Sequence, residues 1–292
     1  MRVLILGAAG MMGHMAARVL SDGHEVIGSI RASTPSPALR AIVPDDRLVT
    51  GVDATQHHAM VRLMADVHPD VVFNCIGIVK QLDTAKDAIL SLRANSLYPH
   101  ELADLCAAAG AHLIHMSTDC VFSGDRGMYT LQDNPDPVDL YGRTKLLGEV
   151  AAPHATTLRT SIVGRQLGSS TGLFEWVRSQ RGRDVSGYQG AIYTGLTTMA
   201  LARIVGRLID EGTLTGGLWQ VASAPVTKLE LVHALNDRLD LGMNVSANTT
   251  FRCDRSMDGS AFTEATGITV PSWDEMLDEF AADEAFYAGL PA

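Results

Sequence analysis

Tyr141 and Lys145 stand four residues apart in Asp139-Leu140-Tyr141-Gly142-Arg143-Thr144-Lys145. On a helix that spacing stacks both side chains on one face, one turn apart. An ammonium beside a phenol stabilises the phenolate, which predicts a Tyr141 pKa below its reference of about 10. Such a phenol can give a proton to a developing alkoxide, or take one from an alcohol, near working pH. The bland alternative is a chance pair on a solvated helix. Lysine occurs otherwise only at Lys80, Lys86 and Lys228, so such pairs are scarce in this chain.

A second chemical signal lies at the start. Met1-Arg2-Val3-Leu4-Ile5-Leu6 reads as a short buried strand and passes directly into Gly7-Ala8-Ala9-Gly10-Met11-Met12-Gly13. Residues 15–20 form helix readily, and Asp22-Gly23 ends it. Strand, glycine turn and helix together are the setting in which a dinucleotide pyrophosphate binds a helix N-terminus. The spacing is GxxGxxG, one residue longer in its first half than the dehydrogenase fingerprint. A glycine triplet alone is equally compatible with an ordinary flexible turn, and its place at the head of a βαβ pattern favours the cofactor reading.

Bulk properties exclude several classes. With 292 residues the chain can bury a large core, as one α/β domain or one domain with a smaller lobe. A net charge of -10 without a basic tract argues against nucleic acid as a partner. Cys75, Cys106, Cys120 and Cys253 are scattered, as in a cytoplasmic protein with reduced thiols. No long uncharged apolar stretch could span a membrane, and the N-terminal run is too short and glycine-rich for a signal peptide. The histidines, His57 and His58 among them, lack metal-ligand spacing, so no metal is expected.

Around these motifs, strands and helices alternate. Strands are expected at 25–30, ending near 52–53, at 71–77, 112–118 and 156–161, and helices at 57–67, at 87–109 with an interruption at Pro99, and from Leu140. Pro135 and Pro137 hold the preceding loop extended. This pattern predicts a Rossmann-type, doubly wound parallel sheet with helices on both faces. Residues 164–190 read as loops that fold over a ligand. Residues 199–209 read as helix, 217–221 as a strand, and the tail from Lys228 as two or three helices, the last over 273–287. The expected organisation is α/β: a dinucleotide-binding domain over 1–163, rejoined by about 192–226, and a smaller C-terminal substrate-binding lobe over 164–292.

Ligands of open α/β sheets bind outside the carboxyl ends of the strands. There this sequence places the glycine turn after strand one, Ser29 and Arg31 after strand two, Asp53 after strand three, and Ser117-Thr118-Asp119 after strand five. Strand two ends without the acidic residue that would bind a ribose 2′-hydroxyl. It offers Ser29, Arg31, Ser33 and Thr34, a cation with hydroxyls suited to a 2′-phosphate. NADP(H) is therefore preferred, with NAD(H) as the alternative if Arg31 is only a surface residue.

At this point the chain resembles the extended short-chain dehydrogenase/reductase superfamily, and within it the dTDP-4-dehydrorhamnose reductase family of nucleotide-sugar 4-ketoreductases. The residues that carry the likeness are the glycine turn, Asn74-Cys75-Ile76-Gly77, Ser117-Thr118-Asp119-Cys120-Val121-Phe122-Ser123-Gly124, Tyr141-Gly142-Arg143-Thr144-Lys145-Leu146-Leu147-Gly148-Glu149 and Leu158-Arg159-Thr160-Ser161. Beyond about Arg165 only Arg252-Cys253-Asp254-Arg255-Ser256 echoes the family's late substrate-binding segment. The resemblance implies a catalytic set of Thr118, Tyr141 and Lys145, with Tyr141 protonating the C4 oxygen, Thr118 polarising it, and Lys145 lowering the Tyr141 pKa and holding the nicotinamide ribose. It implies a cofactor site of Gly7, Ala9, Gly10, Met11, Met12, Gly13, Ser29, Arg31, Val52, Asp53, Asn74, Cys75, Gly77 and Ser117 with Tyr141 and Lys145. It implies a nucleotide-sugar partner bordered by Thr118, Asp119 and Cys120, with Arg159, Arg165 and Arg255 as candidates for its diphosphate. Deoxysugar or polysaccharide biosynthesis is the implied setting, and a homodimer through surface helices stays open.

Departures from the family pattern bear on the substrate. Cys120 and Ser123 stand where these reductases commonly have Tyr and Asp, and Leu131 stands where an acidic residue is usual. Cys120 reads as a small pocket-lining residue in preference to a functional thiol. A sugar 4,6-dehydratase would need Asp-Glu after the threonine, whereas Cys120 follows Asp119. A nucleotide-sugar 4-epimerase uses the same three groups and stays open. So does a non-catalytic NADP-binding regulatory subunit.

Overall fold

The opening apolar run forms β1 (Arg2–Leu6) in a computed structural model that describes residues 1–80, 83–168 and 172–291. Side chains alternate across a strand, so Val3 and Ile5 enter one core and Leu4 and Leu6 the core on the opposite face. Burial on both faces is what a continuous Val/Ile/Leu run requires. The chain continues through α1 (Met11–Leu20), β2 (Glu25–Ser29), α2 (Pro37–Ile42), β3 (Leu48–Val49), α3 (His57–Val67) and β4 (Val71–Asn74). It goes on through α4 (Ala88–Leu92), α5 (Tyr98–Ala109), β5 (His112–Met116), α6 (Leu140–Leu147) and β6 (Ala155–Arg159). After β7 (Ile162–Val163), α7 (Leu173–Ser179), β8 (Asp184–Tyr193) and β9 (Leu196–Thr197), α8 (Thr198–Asp210) leads to β10 (Gly217–Gln220). The tail holds β11 (Val226–Thr227), α9 (Lys228–Arg238), β12 (Asn244–Asp254), α10 (Ser260–Thr266), α11 (Trp273–Ala282) and α12 (Glu284–Ala288).

The central sheet has seven strands in the order β10-β6-β5-β4-β1-β2-β3, all parallel. It is the doubly wound α/β arrangement expected. The winding direction reverses between β1 and β4, which opens a crevice at the carboxyl edge there. Met15, Ala16 and Leu20 of α1 join Leu201, Val205 and Leu208 of α8 on one face. Met60, Leu63 and Val67 of α3 join Leu102 and Cys106 of α5 on the other. Among the described residues no helix is long and apolar enough to cross a membrane.

The second half departs from expectation. Residues 164–190 were expected as loop, yet α7 and most of β8 lie there; residues 169–171 of that stretch lie outside the described residues. The tail expected as two or three helices carries four and the long strand β12, and the helix expected over 273–287 is divided at Asp283. β12 lies parallel to β8, and β11 is antiparallel on the other side of β8. Both long strands are polar and half exposed, so neither shows the alternation that reveals a strand locally. In the first half, β3 ends at Val49, short of Val52-Asp53. Pro99 does not interrupt its helix. It occupies the first turn of α5, where a missing N–H costs nothing, and the irregularity is a π-helical turn over Arg93–Leu97 just before it.

Candidate active site

Each motif is positioned by the element beside it. The glycine turn links β1 to α1, and Gly7 takes a left-handed φ of 83°. Its N–H and that of Ala8 donate to the Ser29 carbonyl at 3.1 and 3.0 Å, tying the turn to the end of β2. A Cβ on Gly13 would overlap the Gly7 carbonyl, so only glycine lets α1 start this close to the turn. Gly10 caps α1 with no side-chain hydrogen bond, and Met11 and Met12 form its first turn, leaving helix N–H groups for an anion. Ala9 is exposed at the same tip.

Arg31 is exposed beyond β2, and its charge helps hold the Asp53 carboxyl below the usual range, after the larger effect of the Thr55 hydroxyl and N–H that bond Asp53 Oδ1. Val52 lies beside them, its N–H donating to the Ile30 carbonyl at 2.9 Å. Asn74, at the end of β4, turns inward: its amide meets His115 Nδ1 at 3.0 Å and its Oδ1 accepts the Ile76 N–H. Burial pushes the Cys75 thiol far up, and a Cβ on Gly77 would sit 3.4 Å from Asn95 Oδ1.

The catalytic candidates meet beyond β5. Asp139 starts α6 where the sequence predicts, its carboxylate accepting the Gly142 N–H at 2.7 Å. A Cβ on Gly142 would overlap the Cys120 carbonyl, so α6 packs directly on the segment after β5. That packing brings Tyr141 to Thr118 and Cys120, which all act on the Tyr141 phenol. The direction of the shift overturns the expectation. Burial raises the Tyr141 pKa, Cys120 adds to the rise, and the Thr118 hydrogen bond only partly opposes it. Lys145 is not among the larger effects on it. Its Nζ instead donates to the Met116 carbonyl at 2.5 Å, and burial brings its own pKa down to about 8, against a smaller opposing effect of Glu149.

Thr118 Oγ1 accepts the Cys120 N–H and donates to Asp119 Oδ1, both at 3.1 Å. Ser117 turns away, its hydroxyl donating to Glu149 Oε1 at 2.6 Å. Cys120 is buried, with Lys80 Nζ 3.9 Å and Arg255 Nη1 3.4 Å from its Sγ. Burial holds this thiol protonated at neutral pH, pushing it up to about 12 despite the two cations. Arg255 is also fixed by Nε donating to the Phe122 carbonyl at 2.9 Å.

Two expected diphosphate ligands are committed elsewhere. Arg159 is buried in a two-pronged pair with Glu149 at 2.8 and 2.7 Å. Arg165 bridges Glu175 and Glu284 at 2.8 and 2.7 Å. Both guanidinium charges are already met by carboxylates, a fact hidden in sequence because the partners of Arg165 lie 10 and 119 positions away. Sequence reasoning also missed Asn95, Lys80 and Lys228. Asn95, in the π-helical turn, accepts from Ile78 N–H and donates to the Ile78 carbonyl and Thr144, so it ties α6 to the segment after β4. Lys228 lies 3.7 Å above the Tyr193 ring and senses Asp119, Lys80 and Cys120. The only sequence signal for the two lysines was their scarcity.

Comparison with known proteins gives the family and the fold. Residues 1–285 match the family described as RmlD substrate binding domain. A dTDP-4-dehydrorhamnose reductase of Mycolicibacterium smegmatis is 34% identical over 76% of this chain and 65% of its own length. The beta subunit of methionine adenosyltransferase 2 of Rattus norvegicus is 33% identical over 51% of this chain and 42% of its own. A dTDP-4-dehydrorhamnose reductase of Bacillus anthracis, solved in complex with NADP, superimposes with a TM-score of 0.78 at 20% identity, covering 97% of this chain and 99% of that one. This chain thus aligns with about two thirds of the first of these relatives and less than half of the second.

Proposed function

The chain belongs to the RmlD substrate binding domain family, and from that premise we propose that it reduces the 4-keto group of a nucleotide-activated 4-keto-6-deoxysugar with NADPH, in deoxysugar biosynthesis. The observation that carries this reading is the meeting of the Tyr141 phenol with Thr118, one helical turn from a buried Lys145, on the sheet edge that bears the glycine turn. The residues present fit a dinucleotide. The uncapped start of α1 suits a pyrophosphate, and the turn before it is kept free of side chains by Gly7 and Gly13. Arg31 beyond β2 suits the 2′-phosphate that distinguishes NADPH, and the Bacillus anthracis relative was solved with NADP.

The nicotinamide, when bound, supplies the hydride for the carbonyl carbon. Tyr141 gives its proton to the sugar O4. Its raised pKa means that proton is in place at neutral pH, as a reductase requires of its acid. Thr118, anchored at the end of β5 by its two 3.1 Å hydrogen bonds, orients the same oxygen. Lys145, charged below about pH 8, lies on the same face of α6 as Tyr141 and is placed to hold ribose hydroxyls and favour negative charge on O4. Asp119, Cys120 and Arg255 border the sugar.

The test is NADPH oxidation by purified protein across dTDP-, UDP- and GDP-linked 4-keto-6-deoxysugars. Tyr141→Phe should cut turnover about 10²- to 10⁴-fold with cofactor binding intact; a normal rate would remove the proton donor assigned here. A second reading, a non-catalytic subunit, is favoured by the likeness to the rat beta subunit. It gains if no keto sugar is turned over and a partner enzyme co-purifies. Tightly retained NAD would instead point to a 4-epimerase.

A further inference from the structure

We infer that Lys80 and Lys228, with Arg255, form the cradle that takes the diphosphate of the nucleotide sugar; the inference rests on the function proposed above. Three elements far apart in sequence bring these cations around one buried thiol and one buried carboxylate. Lys80 follows β4, Lys228 opens α9 and Arg255 follows β12. Lys80 Nζ and Arg255 Nη1 both approach Cys120 Sγ, at 3.9 and 3.4 Å. Lys228 lies against the Tyr193 ring and is within electrostatic range of Asp119, Cys120 and Lys80.

Among the described residues none of the three is ion-paired, whereas Arg159, Arg165, Arg18 and Arg238 each hold a carboxylate. The carboxylates that act on this group are engaged: Asp119 accepts the Thr118 hydroxyl and Asp139 caps α6. Three cations against these two carboxylates leave an excess of positive charge in a chain whose net charge is -10. Gathering like charges is unfavourable without an anion to share. Burial and the neighbouring Lys80 bring Lys228 down to about 8 despite Asp119, and an arriving dianion would reverse that. The cradle adjoins Thr118 and Tyr141 through Cys120 and Asp119, which act on both the Tyr141 phenol and the cations.

The test uses full-length protein loaded with NADPH, titrated calorimetrically with dTDP, UDP and GDP, and compared with Lys228→Met and Lys80→Gln. At least one of the three nucleotides should bind the unaltered protein, and each substitution should weaken that binding about tenfold, as loss of one charge-assisted hydrogen bond does. NADPH affinity should not change, and Lys228→Arg should recover most of the loss. Unchanged affinity in both variants, or no binding of any of the three nucleotides at millimolar concentration, overturns the cradle. Lys80 is exposed, so Lys80→Gln decides the matter even if Lys228→Met fails to fold. Keto-sugar turnover with unchanged nucleotide affinity in the variants refutes the cradle alone. Weakened nucleotide binding without turnover on any keto sugar supports the cradle and refutes the reductase.

Discussion

Replacing Lys145 with Met should make the cofactor-free protein more stable while abolishing its chemistry. Lys145 is 4% exposed and its pKa is depressed from 10.5 to about 8, mainly by burial. A shift of that size corresponds to about 3 kcal/mol by which the fold disfavours the ammonium. Methionine removes the penalty but also the hydrogen bond to the Met116 carbonyl, and leaving that acceptor unmet costs about 1–2 kcal/mol. The net expectation is a gain of about 1–2 kcal/mol at pH 7. The sign of the pH dependence follows from proton counting. Between about pH 8 and 10.5 the unfolded lysine is protonated and the folded one is not, so stability of the unaltered protein rises with pH there. The advantage of Lys145→Met is therefore complete below about 8 and shrinks by about 2 kcal/mol by pH 9.5. Urea unfolding of both proteins at the two pH values, without cofactor, measures the double difference and cancels all other titrating groups. A variant less stable than its parent at pH 7, with a gap that does not change with pH, would refute the claim that Lys145 is held against its own solvation for function.

Two further outcomes test the surrounding architecture. Gly13→Ala forces a Cβ into the Gly7 carbonyl, so the turn must open; NADPH affinity should fall at least about tenfold, with about 1–3 kcal/mol of stability lost to overpacking. Fluorescence titration and thermal unfolding read both, and an unchanged affinity would separate this turn from the cofactor. Glu149→Ala leaves the Arg159 guanidinium buried without its carboxylate and should cost about 3–5 kcal/mol at pH 7 by urea unfolding. A loss below about 1 kcal/mol would mean that the pair is solvated, in the range of surface ion pairs.

Local sequence carried the parts that local physics decides. The run 2–6, the glycine turn, the helix His57–Val67 and the Asp139 cap before Leu140–Leu147 were all legible, because strand burial, turn geometry and capping depend on residues within a few positions. The Tyr141 and Lys145 spacing was legible for the same reason. Their electrostatics were not. A lysine one turn away predicts a lowered phenol, whereas the packing of α6 onto the segment after β5 buries Lys145, takes the Tyr141 phenol out of water and moves each toward its neutral form.

What the sequence alone determined is the parallel α/β order and the likeness to the reductase family, from which the three groups proposed for its centre follow. Only the tertiary structure decided which charges are free. Arg159 and Arg165 read as available cations until Glu149, Glu175 and Glu284 were seen beside them, and Lys80 and Lys228 read as ordinary lysines until folding set them around Cys120. The strands β8 and β12 were hidden for a related reason, since their pairing partners lie far away in sequence: β12 pairs with β8, and β8 with both β12 and β11. Residue type and spacing fix what a side chain can do, but desolvation and pairing act between segments that meet only in the folded chain, and those two effects set where its proton and its charge reside.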